Sequence, residues 1–123
     1  MAKILVVDDE MVVRESIVAV LQLDGHEILE AENGLAALDM IKLHSPELII
    51  SDVMMGNMNG FMLRESLLQN QLTARIPMIL MTGLANTAAA WESEPSIEYI
   101  SKPFTIDQLK VMVNGKLHPY VFN

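Results

Sequence analysis

Four groups of residues in this chain have the chemistry to act together on an anion. Asp8 and Asp9 follow an aliphatic run at 4–7, Ser51 and Asp52 follow another at 48–50, Thr82 follows a third at 78–81, and Lys102 and Pro103 come after a weaker run at 97–100. If the first and third runs lie side by side, three carboxylates converge, and their repulsion raises at least one pKa unless a cation sits among them. A hard divalent ion meets that need. Mg2+ takes oxygen ligands, keeps several waters and is commonly held by one or two carboxylates plus a phosphate oxygen. An Asp-Asp-Glu triplet at 8–10 taken alone reads more readily as the cap of a following helix. An acid cluster, a hydroxyl and a lysine supplied by separate run ends make a set suited to handling a phosphoryl group.

Residues so distant in sequence need a frame to bring them together. Short aliphatic runs, with a further weak one at 27–31, alternate with longer segments of helical period, which is the pattern of βαβ units feeding a parallel sheet. Their near-continuous apolarity predicts strands covered on both faces. Val13, Ile17 and Leu21 are spaced by four in a first helix that Gly25 ends just after Asp24. A second helix is predicted over 34–43 with Pro46 just past it, and a third over 60–70 with Leu63 and Leu67 on one stripe. A short fourth segment, 86–93, is stopped by Pro95. Thr105 and Gln108 form a capping-box pair ahead of Ile106, Leu109, Val113 and Leu117 in the last helix. In an open sheet of this kind chemistry gathers at the carboxyl ends of the strands, where the candidate residues stand. One domain over 1–117 accounts for nearly the whole chain, and the tail 118–123 has no assigned role.

Composition narrows the function further. The 123 residues are 51% hydrophobic and 20% charged, a balance that fits one compact globule and argues against disorder. There is no cysteine, so disulfides, thiolate metal sites and cysteine nucleophiles are excluded. Sixteen acidic against eight basic residues give a net charge of −8, which repels phosphate backbones and argues against direct nucleic-acid binding. No apolar run approaches the roughly 18 residues of a membrane span, so no membrane association and a cytoplasmic location are expected. The ten methionines read as fillers of irregular core gaps or as an adaptable partner surface. Trp91 reads as a partner anchor or as an aromatic packed on its own domain. His26, His44 and His118 lack metal-ligand spacing.

The chain resembles the receiver domains of two-component response regulators. The resemblance is carried by Ile4-Leu5-Val6-Val7-Asp8-Asp9-Glu10, by Asp52 through Gly60, by Met81-Thr82-Gly83 and by Tyr99-Ile100-Ser101-Lys102-Pro103-Phe104, in this order and spacing. It implies a doubly wound, flavodoxin-like α/β fold with five parallel strands in the order 2-1-3-4-5. It also implies that Asp52 accepts the phosphoryl group, that Asp9 binds Mg2+ directly with Asp8 assisting through water, and that the Met54 backbone carbonyl is a further ligand. Thr82 would meet one phosphoryl oxygen and Lys102 neutralise another, while Thr82 and Tyr99 switch the face built from the 86–93 segment, the fifth strand and the last helix. The implied partners are a histidine kinase or histidine phosphotransfer protein and a downstream protein or effector domain. The only chemistry implied is self-phosphorylation with slow loss of the phosphoryl group, so the chain is not expected to be an enzyme in the ordinary sense.

Three departures from the family pattern stand out. Gly56 occupies a place where the family usually has proline, which adds backbone freedom after Asp52. The stretch between Thr82 and Lys102 is short. Met54 and Leu84 are apolar where many relatives carry polar side chains that orient hydrolytic water, which predicts a long-lived phosphoryl group. One rival reading is an interaction module that keeps the fold and signals without phosphate; the intact acid, threonine and lysine set argues against it. Another is a flavin mononucleotide carrier, whose phosphate the 8–10 triplet would repel.

Overall fold

The computed structural model describes residues 2–54, 58–83 and 97–118. Five strands, β1 (Lys3–Val7), β2 (Glu27–Ala31), β3 (Leu48–Asp52), β4 (Met78–Thr82) and β5 (Ile97–Ser101), form one parallel sheet in the order β2-β1-β3-β4-β5. The central strands β3 and β4 are buried at every position, whereas the edge strands β2 and β5 are only partly buried, exposing Glu27 and Glu30, and Glu98 and Ser101. That difference explains why the two edge runs are the weaker ones in the sequence.

Helices cover both faces. Ile4, Val6, Leu48, Ile50, Ile79 and Met81 meet α1 (Met11–Leu23) and α5 (Ile106–Leu117) through Ile17, Leu21, Leu109 and Val113. On the opposite face Leu5, Val7, Ile49, Met78 and Leu80 meet α2 (Gly34–His44) and α3 (Gly60–Leu68) through Ala37, Ile41, Leu63 and Leu67. Each fully buried Leu or Ile in these layers contributes about 1.5–3 kcal/mol.

Helix ends follow their capping residues. Asn33 accepts from the Ala36 N–H and Asn59 from the Met62 N–H, both at 2.8 Å. Thr105 and Gln108 make the reciprocal capping box. Gly25, at φ 88°, turns the chain out of α1 beyond Asp24, in a region where a side chain is strained.

Among the described residues the expected elements are present with adjusted limits. Strand ladders continue through Ser51, Asp52, Thr82 and Ser101, one or two residues past the aliphatic runs, because backbone pairing does not depend on an apolar side chain. The third helix is shorter than 60–70: it stops at Leu68, and Asn70 caps a separate four-residue helix, α4 (Gln71–Ala74). The 86–93 segment, Trp91 and residues 119–123 lie outside the described residues, as does the 55–57 stretch with Gly56. Among the described residues no helix is long and apolar enough to cross a membrane.

Candidate functional site

The parallel register sets the site. Val7 pairs with Ser51, so Asp8, one residue past the end of β1, stands beside Asp52 at the end of β3. Met81 pairs with Asp52, and Thr82 with Ser101, which puts the hydroxyl and the lysine that follows on the same edge of the sheet. The Lys102 N–H donates to the Thr82 carbonyl at 2.7 Å, fixing the start of the β5–α5 connection, and the Lys102–Pro103 peptide is cis.

Side chains converge from these ends. The Lys102 Nζ lies 3.4 Å from Asp52 Oδ2 and 3.5 Å from Asp8 Oδ2. Carboxylate oxygens of Asp8, Asp9, Glu10 and Asp52 all lie within 4.8 Å of one another. Asp8 is fully buried, Asp52 nearly so, and Thr82 is buried; Asp9 and Glu10 are exposed at the mouth. One Asp8 oxygen, Oδ1, accepts from the Glu10 N–H at 2.9 Å, while Oδ2 is buried with no hydrogen-bond partner among the described residues.

Electrostatics make this an uncomfortable place for bare carboxylates. Burial pushes the Asp52 pKa up, the Lys102 ammonium opposes the rise, and the neighbouring Asp8 carboxylate adds to it. The Met54 N–H reaches Asp52 Oδ1 at 3.4 Å, a weak bond that favours the charged form. A divalent cation suits this donor set: clustered oxygens, one of them buried with no hydrogen bond among the described residues, with exposed acids at the entrance where water can complete an octahedral shell.

The backbone around Asp52 is tightly specified. The Val53 N–H donates to the Met81 carbonyl at 2.9 Å and the Gly60 N–H to the Val53 carbonyl at 3.1 Å. A Cβ at Gly60 would fall 2.8 Å from the Asp52 carbonyl oxygen, so glycine is what lets α3 start so close to the acid. A Cβ at Gly83, by contrast, would meet nothing within 4 Å among the described residues.

The family model for the response regulator receiver domain matches residues 4–114. The chain belongs to this family. The receiver domain is similar to protein PilH of Pseudomonas aeruginosa, with 30% identity over 95% of this chain and 98% of PilH. It is 37% identical to the phosphate regulon transcriptional regulatory protein PhoB of the same organism, covering 93% of this chain but only 51% of PhoB. Among solved structures, the signal receiver domain of a signal transduction histidine kinase from Syntrophus aciditrophicus superimposes with a TM-score of 0.88 at 28% identity, over 100% of this chain and 95% of that one.

Asp8, Asp9, Asp52 and Lys102 thus meet in the acidic pocket, while Thr82 ends the strand next to that of Asp52. Tyr99 lies on β5, half-buried against the α3 side of the sheet, with its ring centroid 6.4 Å from that of Phe61. Met54 follows the pocket and is largely exposed. The sequence reading passed over two residues. Arg14 Nη1 donates to the Asp8 carbonyl at 2.7 Å, and its Nε pairs with Glu30 at 3.1 Å. An arginine one turn after an acidic triplet is the signal that was available.

Proposed function

We propose that this receiver domain takes a phosphoryl group on Asp52 from the phosphohistidine of a histidine kinase or phosphotransfer protein, and from small acyl phosphates. A carboxylate oxygen of Asp52 attacks phosphorus, the bond from phosphorus to the donor nitrogen or oxygen breaks, and the donor leaves with its electron pair. Lys102 stabilises the negative charge spread over the phosphoryl oxygens, and the Thr82 hydroxyl donates to one of them. Asp8, Asp9 and Asp52, with the Met54 carbonyl, hold Mg2+, which when bound supplies positive charge against the same oxygens.

The observation that carries this reading is the Lys102 ammonium within 3.5 Å of both Asp52 and an otherwise unpartnered, buried Asp8 oxygen. Two buried acids set against one lysine form a pocket short of positive charge and shaped for a cation and an anion together. The same set disfavours the reading as an interaction module that works without phosphate.

The functional unit spans 1–117 and works in the cytoplasm, with the tail 118–123 outside it. Its output is a shift between two conformations: Thr82 draws toward the phosphoryl group, Tyr99 turns, and the face including β5 and α5 changes for a downstream protein or effector domain. Beyond self-phosphorylation and slow autodephosphorylation it performs no catalysis.

Incubation with acetyl phosphate and Mg2+ followed by intact mass measurement tests the reading. The wild-type chain is expected to gain one phosphoryl group, Asp52→Asn none, and chelator to suppress the gain. After removal of the donor the adduct is expected to decay slowly, because the exposed Met54 thioether is a poor partner for an attacking water. Equal modification of Asp52→Asn would overturn the assignment.

A further inference from the structure

Arg14 lies in the first turn of α1, outside the acid cluster, yet it makes a short contact to it. Its Nη1 donates to the Asp8 carbonyl oxygen at 2.7 Å, and its Nε donates to Glu30 Oε1 on β2 at 3.1 Å. The Arg14 side chain is 14% exposed, and its guanidinium is held by two acceptors from different parts of the fold. The carbonyl it grips belongs to the peptide joining Asp8 to Asp9. The amide side of Asp8 is held as well, because its N–H donates to the Ala31 carbonyl at 3.2 Å. The Arg14 bond thus holds the Asp8–Asp9 peptide, from which the exposed Asp9 residue follows, and the Ala31 bond holds the Val7–Asp8 peptide before it.

We propose that Arg14, braced by Glu30, is a positioning residue for the cation site: it orients the Asp8–Asp9 peptide so that the two carboxylates are preset to share one divalent ion. The inference rests on the reading of the acid cluster as that site. Charge and geometry predict opposite signs, which makes the proposal sharp. A guanidinium near a cation site repels the cation, so if charge alone mattered its removal would tighten binding. If orientation dominates, removal loosens binding, as loss of a residue supporting metal ligands typically does by 10–100-fold.

Calorimetric titration of the full chain with Mg2+ separates the two, with thermal unfolding in EDTA run on each variant. Arg14→Met is expected to bind Mg2+ about tenfold more weakly than wild type. Arg14→Lys, which keeps the charge on a single donor nitrogen but not the fork, is expected to fall between them. Should Arg14→Met not fold, Arg14→Gln carries the same contrast of sign. Variants that melt earlier in EDTA yet bind Mg2+ as tightly as wild type, or more tightly, overturn the proposal and leave Arg14 a structural brace. Absence of Mg2+ binding by the wild-type chain overturns both this proposal and the site reading beneath it, whereas wild-type binding with unaltered variants overturns this one alone.

Discussion

Asp52 is held where its charge is costly. Burial raises its pKa, with Lys102 opposing and Asp8 reinforcing, so the folded chain binds the Asp52 proton more tightly than the unfolded chain does. The stability this group contributes is therefore complete below the unfolded carboxylate pKa, about 4, and is lost as pH rises through the higher folded value. Asp52→Asn, uncharged throughout, is expected to melt above wild type at pH 7 in EDTA, with the gap closing as pH falls toward 4; a wild type that melts at or above the variant at pH 7 would refute this. Asp8, Asp52, Thr82 and Lys102 were legible in the sequence because each sits at or just past the end of an aliphatic run. Arg14 was not, since its partners lie six and sixteen residues away and arginine in a helix is ordinary.

The elements show a similar division between what sequence reveals and what packing decides. The capping box at Thr105 and the turn at Gly25 were readable from residue type, because each satisfies a local backbone need. Asn70 was read as the end of the third helix, whereas it opens α4 by accepting from the Leu72 N–H at 2.9 Å. An asparagine inside a polar stretch gives no sign of which side of it is helical. Asn33 has the clearer role, since α2 starts on its side chain and leads into the buried Ala37 and Ile41. Asn33→Ala is expected to lower stability by about 1 kcal/mol, read as an earlier midpoint in urea with an unchanged slope; no change would mean that the cap is replaced by water at no cost.

At the scale of the molecule, strand order was the part that the residues alone did not dictate. Alternating runs and helices imply a parallel sheet, but many orders satisfy that pattern, and β2-β1-β3-β4-β5 was implied by the family resemblance. The order matters because it places β1 next to β3, and hence Asp8 against Asp52, while β4 lies between β3 and the strand leading to Lys102. The chain covers nearly all of PilH and about half of PhoB, so the same unit occurs both nearly alone and as part of a longer regulator among its relatives. The proposed phosphoacceptor, Asp52, stands at the meeting point of these strands. Borohydride reduction of the acetyl phosphate-treated chain converts an aspartyl phosphate to homoserine, which peptide mass mapping locates. The account predicts homoserine at position 52 alone; homoserine at another carboxylate, or none anywhere, would contradict it.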